Sequence, residues 1–251
     1  RPNPLGGNLI EGNIVEDGFY SFVSQFPIPY VYGLTAGELA LFINENILSP
    51  EGLHCDLEII KMKGWNRNMN FMETGLPWVP TSPHIPHPET AFYYAMTGIV
   101  GELNSISIGV GYTIPFETFA APWIDANLLA DKMNELKLPG IIFRPITYKP
   151  FYGNFKGEKV NGVHIIVKDF KTVQPTLVQF YFLKTLNELY PDKNLFALSD
   201  PKRLKMFDKV CGTDKIRKYF QNKSDFDAFL QLFMKDVENF RKESKKFYLY
   251  D

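Results

Sequence analysis

The chain has only two cysteines in 251 residues, Cys55 and Cys211, and they stand far apart. A disulfide framework or a cysteine-based metal site needs more sulfur at closer spacing, so neither is expected, and the redox compartment stays open. No uninterrupted apolar run reaches the roughly 20 residues that cross a bilayer, so no membrane span is expected. The start, Arg1-Pro-Asn-Pro-Leu-Gly-Gly7, lacks both an initiator methionine and a charged-then-apolar export signal. The chain therefore reads as processed or truncated. A G-x-S-x-G elbow is also missing, which removes the usual serine-hydrolase signature. Gly109-Val-Gly111 has no third glycine and no following helix, so it is not a nucleotide fingerprint.

Net charge is scarce as well: 27 basic against 28 acidic side chains gives −1. The balance hides a split. Residues 1–139 hold 15 acidic and 6 basic side chains, hence −9, and residues 140–251 hold 13 and 21, hence +8. Halves of opposite sign attract each other, and the basic half would draw anionic ligands. Its lysines alternate with acids along expected helices and no recognition motif accompanies them, so a solvated helix face is expected and no nucleic-acid partner. Aromatics, by contrast, are plentiful, with 22 phenylalanines and 13 tyrosines in a chain that is 45% hydrophobic. Most should be core, with some rings left at a surface where sugars or peptides stack.

The pattern predicts an α/β chain. Thr35-Ala-Gly-Glu38 has capping-box spacing, and Leu39, Phe42, Ile43 and Ile47 share one helical face, giving a helix over 35–47. Alternation predicts a strand over 54–61. A helix should follow Pro88, and Ser105 to Gly111 should form a strand that runs into a turn where the backbone passes close to something. Asp125 leads into a helix over 126–136 that ends at Pro139-Gly140, taken as the boundary between domains 1–139 and 140–251. Strands are expected over 141–148 and 162–167. Pro175 should open a helix that Pro191 stops, and another should start at Ser224 with the stripe Phe226, Phe229, Leu230, Phe233, Val237 and Phe240.

The most distinctive local feature is Pro77, Pro80, Pro83 and Pro86, one proline in three. Polyproline II repeats every three residues, so Trp78, Thr81, His84 and His87 would share one face and Ser82 the next. Such a rod either walls a cleft or is a crossing loop whose histidines meet water. His84 and His87 would lie about 9 Å apart along it, too far to converge on one ion, and no metal is expected. Glu11, Glu73, Glu102 and Glu117 each sit in a glycine- or proline-rich context, where glycoside hydrolysis would draw its acid and its second carboxylate. Taken singly, each is as readily a cap or a loop residue.

Several stretches together carry more. Arg1-Pro-Asn-Pro-Leu-Gly-Gly7, Pro27-Ile-Pro29, Gly33-Leu-Thr-Ala-Gly-Glu-Leu-Ala40, Met62-Lys-Gly-Trp65 and Arg67 come first. Thr74-Gly-Leu-Pro-Trp-Val79, Ser82-Pro83, Ala121-Pro-Trp-Ile-Asp125, Phe143-Arg-Pro145 and Gly162-Val-His164 follow. In this order they resemble the exo-β-N-acetylmuramidase (NamZ-like) family, from residue 1 to about Arg217. The resemblance implies part of a Rossmann-like subdomain followed by a smaller α/β subdomain, with a cleft between them. It implies removal of N-acetylmuramic acid from the non-reducing ends of peptidoglycan fragments, without nucleotide or other cofactor, in a periplasmic or extracytoplasmic place. The family's leading catalytic candidate, the glutamate of a Ser-Pro-Glu-His-Gly motif, lies upstream of the segment matched here. Within this chain the resemblance points to Glu73 and Glu102 as assisting carboxylates. Asn3, Glu11, Trp78, Ser82, His84 and Ser107 would bind the sugar. Val110 stands where the family commonly has arginine, Ser105 where it has asparagine, and His84 where asparagine is frequent. The alternative is a glycan-binding or structural protein that keeps the fold without the chemistry.

Overall fold

The computed structural model describes residues 2–222 and 225–251, so Arg1 of the first motif and the expected helix start at Ser224 lie outside the described residues. Besides a few short 3-10 and π turns, the α-helices and β-strands among the described residues follow in the order α1 (Ala36–Ile43), α2 (Thr90–Gly101), β1 (Thr118–Ala121), α3 (Ala126–Glu135), β2 (Ile141–Tyr148), β3 (Val160–Val167), α4 (Pro175–Leu189), α5 (Pro201–Cys211), α6 (Lys215–Asn222), α7 (Phe226–Met234) and α8 (Val237–Ser244). Helices and strands are mixed, as an α/β chain requires. The sheet has the order β1-β3-β2 and is antiparallel throughout, with Thr118, His164 and Arg144 in register across it.

Local chemistry explains most elements. Thr35 accepts from the Glu38 amide and the Glu38 carboxylate accepts from the Thr35 amide, so α1 starts on the expected capping box. Asp125 caps α3 through the amides of Asn127 and Leu128, and Pro175 opens α4. Helix α5 was not anticipated, although Asp200-Pro201 carries its signal: the Asp200 side chain accepts from the Lys202 amide.

Three expectations fail for tertiary reasons. Residues 53–62 pair with no strand among the described residues, and Leu53, Leu57 and Ile60 are exposed; alternation cannot make a strand without a partner edge. Asn44 instead holds the segment by hydrogen bonds to the Cys55 backbone. Over 105–111 only Ser107 forms a bridge, to Ala120, because Gly109 and Gly111 both take positive φ and turn the chain away. The apolar stripe beginning at Phe226 is split between α7 and α8, because Asp236 at the break accepts a hydrogen bond from the Ile14 amide, 222 residues away in sequence.

The largest core cluster takes side chains from both sides of Pro139, among them Phe92, Phe119, Phe182, Phe220 and Phe233. The expected division after Pro139 falls inside one sheet, since β1 precedes it and β2 and β3 follow. Phe119 and Phe182 stack at 3.9 Å, and Phe180 meets Phe229 and Phe233 edge-on at 4.9 and 4.7 Å. Thirteen of the 22 phenylalanines are buried, but of the 13 tyrosines only Tyr148 is, so the core takes most of the phenylalanine and leaves most tyrosine rings partly exposed. The acidic and basic halves also meet directly: Glu16 pairs with Lys215 and Lys235, Glu73 with Lys171, and Glu102 lies 3.7 Å from Arg203.

Gly162 sits mid-strand where β3 passes β1, and a Cβ there would fall on the Phe119 carbonyl and the Ala120 backbone. Gly162→Ala is expected to force the two strands apart and cost roughly 1–3 kcal/mol. Urea unfolding of the variant checks this; an unchanged midpoint would show that the sheet yields freely.

Candidate functional site

A cavity of about 750 Å³ opens between the N-terminal segment, α1, the proline-rich loop and the start of α2. Asn3, Leu39, Trp78, Ser82, His84 and Tyr94 all reach it. Its wall is mainly apolar, and among the described residues His84 is the one titratable group on it besides tyrosine. A second depression of about 520 Å³ continues from it, sharing Asn3, Leu5, Tyr32 and Tyr94. A large apolar cleft with a few convergent polar groups is the ordinary form of a small-molecule site.

The proline-rich stretch is not a rod. Gly75 is left-handed at φ 68°, residues 76–80 join no helix or strand, and the chain then turns, with the Ile85 amide donating to the Ser82 carbonyl. The Trp78 indole Nε1 donates to the Ile85 carbonyl at 3.1 Å. In a polyproline helix these two residues would stand about 22 Å apart. Folding back overrides the threefold faces and puts Trp78, Ser82 and His84 on one cavity wall, where a rod would have given the wall only one of its faces. The Trp78 ring is further fixed edge-on against Phe71 at 4.8 Å. Asn3 is equally constrained: its amide donates to the Leu34 carbonyl at 3.1 Å and accepts from the Leu5 amide at 3.0 Å, leaving one N–H and one lone pair for a ligand. His84 Nε2 lies 2.9 Å from the Tyr152 hydroxyl, so this loop touches the loop that follows β2.

The four other residues named from sequence lie off this wall. Glu73 is exposed, completes a capping box with Asn70, and is held 2.7 Å from Lys171. The Lys171 hydrogen bond, with that from the Asn70 amide, keeps its carboxyl below the usual range. Glu102 ends α2, where burial raises its pKa and Arg203 partly offsets the rise. Ser107 is buried and shares a hydrogen-bond network with Tyr148 and Thr118, each link 2.8 Å. Glu11 is fully buried against the start of α4, accepting from the amide and hydroxyl of Thr176, while its Oε1 has no partner among the described residues. Burial pushes its pKa to about 7 against those two hydrogen bonds. Glu117, the fourth loop carboxylate, pairs with His164 Nε2 at 3.1 Å.

Sequence reasoning missed Tyr32, Tyr94 and Phe116 as lining residues and Tyr152 as the partner of His84. Tyr94 lay on an expected helix with nothing to separate it from core. The close approach expected at Gly109-Val-Gly111 is real but internal: a Cβ at Gly109 would strike the Ile114 carbonyl, and one at Gly111 the Tyr152 carbonyl. Among the described residues no group of three or more histidine, cysteine, aspartate or glutamate side chains is placed to hold a metal ion. No helix among them is long and apolar enough to cross a membrane.

Two family models match the chain. One described as exo-beta-N-acetylmuramidase NamZ, N-terminal, matches residues 1–89, and its C-terminal counterpart matches residues 92–250, beyond Arg217 where the motif resemblance stops. A curated relative, the peptidoglycan beta-N-acetylmuramidase NamZ of Bacillus subtilis (strain 168), is 36% identical over 250 residues. That match covers 100% of this chain and 58% of the relative. A DUF1343 family protein of Bacteroides fragilis NCTC 9343 superposes with a TM-score of 0.95 at 50% identity, covering 100% of this chain and 65% of its own. A second DUF1343 protein of the same organism, with the same coverage, gives 0.73 at 23% identity and shares the fold.

Proposed function

The chain belongs to the exo-β-N-acetylmuramidase NamZ family, and from that premise we propose that it serves a peptidoglycan-directed glycosidase. The activity is removal of N-acetylmuramic acid from the non-reducing ends of cell-wall fragments, and the 750 Å³ cavity receives that sugar. What supports this reading is one juxtaposition: Asn3, Trp78 and Ser82, drawn from separate family-like motifs, share the wall of one cavity with His84, which stands where the family often has asparagine. Trp78 offers an apolar ring to a pyranose face, and Asn3, Ser82 and His84 offer donors and acceptors to the N-acetyl group and hydroxyls.

Among the described residues, none that lines the cavity is a carboxylate. Glu73, tied to Lys171, and Glu102, beside Arg203, are therefore proposed as supporting groups that steer or relay protons from outside the wall. With that activity go, as part of the proposal, a cell-wall setting that is periplasmic or extracytoplasmic and muropeptides as partner.

The test is twofold. Wild-type protein should bind a muropeptide saturably, and Trp78→Ala should weaken that binding on the order of tenfold in calorimetry. A chromogenic muramide should release N-acetylmuramic acid above an enzyme-free control. Binding without release would assign the chain a glycan-binding role, and neither binding nor release would remove peptidoglycan from the account.

A further inference from the structure

His84 leads from the cavity to a second surface. Its ring stacks with that of Tyr152 at 6.0 Å and 29°, besides the 2.9 Å contact from Nε2 to the hydroxyl. Tyr152 remains 49% exposed and its neighbour Phe151 69% exposed, two adjacent aromatics that the core does not use. Neither ring lines the cavity, but Tyr152 contacts His84, which does, and exposed apolar surface beside a cleft marks a place that meets something.

The loop that carries them is anchored at several points. The Phe151 amide donates to the Gly111 carbonyl at 2.7 Å, and Gly157 closes the loop onto the Pro150 carbonyl at 2.8 Å. Gly111 has φ +91°, and any side chain there would collide with the Tyr152 backbone, so the turn at Gly109–Gly111 is shaped to seat this loop. Phe151 stacks on Tyr112 at 5.8 Å, and Tyr112 stacks on the buried Tyr148 at 4.7 Å. Asn154 ties the far side of the loop to the Asn104 carbonyl at 2.7 Å. A ring held this way binds a flat partner with little further loss of freedom.

We propose that Tyr152, oriented by His84, is a positioning residue that takes the sugar next to the one in the cavity, so that the site grips a disaccharide end rather than a single sugar. This rests on the muramidase reading of the cavity. The ring of Tyr152 presents an aromatic face to the second pyranose, and its hydroxyl, shared with His84 Nε2, is left with one further hydrogen bond to offer a sugar hydroxyl. His84 itself lines the cavity, so the Tyr152 position lies next to the sugar placed there.

Calorimetric titration with N-acetylmuramic acid and with a disaccharide that carries it at the non-reducing end tests this. Wild-type protein should hold the disaccharide more tightly than the monosaccharide. Tyr152→Ala should lose roughly two- to tenfold in disaccharide affinity with monosaccharide binding unchanged, and Tyr152→Phe should keep most of it. Tyr152 is half-exposed, and an unchanged thermal midpoint of each variant confirms that it is folded. Equal wild-type affinities for the two sugars, or a Tyr152→Ala variant that binds the disaccharide as the wild type does, overturns the proposal and leaves the cavity assignment standing. Wild-type protein that binds neither sugar overturns both.

Discussion

Glu38→Ala is expected to lower the unfolding free energy by about 3–5 kcal/mol, the usual cost of stranding one member of a buried ion pair. Glu38 is 0% exposed and Arg67 4%, with Glu38 Oε1 2.8 Å from Arg67 Nη1. The pair has several further partners, although Arg67 Nε itself has none among the described residues. Arg67 Nη2 donates to the carbonyls of Gly7 and Gly33, and its guanidinium lies 3.4 Å over the Tyr248 ring. Glu38 Oε1 also accepts from the Leu249 amide, and Oε2 from the Thr35 amide. One ion pair thus fastens the N-terminal segment, α1 and the C-terminal tail together. Removing the carboxylate leaves a buried cation with no anion and the Thr35 and Leu249 amides with no acceptor. Urea unfolding of the single variant and of Glu38→Leu/Arg67→Met measures this. The double variant should recover part of the loss, because no charge is then stranded, though not the four backbone groups. A single-variant cost below about 1 kcal/mol would mean that the pair is wetter than its burial implies.

Glu11→Gln is expected to flatten the dependence of stability on pH. The folded carboxyl titrates at about 7 against an ordinary value of 4.5, with burial as the main cause. Below pH 4.5 both folded and unfolded chains hold the proton, and above about 7 neither does. Between these values the unfolded chain releases a proton that the folded chain keeps, so stability falls as pH rises through that window. The full difference is about 3 kcal/mol. Glutamine cannot ionise and still offers an oxygen to Thr176, so the variant should lack this slope and be the more stable protein at pH 8. Denaturant unfolding at a series of pH values checks it. A wild-type minus variant difference that stays constant from pH 4 to pH 8 would show that the Glu11 carboxyl titrates as it does in water.

Much of the secondary structure was legible because its causes are local. The Thr35–Glu38 capping box, the Asp125 cap, Pro175 in the first turn of α4 and the bounds of β2 need only neighbours in sequence. The site was less legible. Trp78, Ser82, His84 and Asn3 were named from motif resemblance, but what brings them together is a turn at residues 82–85 that proline spacing argued against. The threefold repeat describes what isolated prolines prefer, whereas the Trp78 to Ile85 hydrogen bond forms only once the loop has a wall to fold on. The carboxylates were the reverse case. Their loop setting suggested availability, yet Glu73 and Glu102 face lysine and arginine from the basic half of the chain. Charge counting foresaw that the halves attract, but not which side chains would meet.

The sequence by itself determined the family, the mixed α/β character, the aromatic core and most helix starts, because motif order, composition and capping are properties of residues close together along the chain. Tertiary structure alone decided which edges pair, where the stripe after Phe226 breaks, and that Glu11 lies buried at the start of α4. It also decided that the loop of Trp78 and His84 folds back over a cavity and meets Tyr152, 68 residues beyond His84. Contacts of that separation depend on burial and on the direction of each backbone group, and neither quantity exists until the chain has folded.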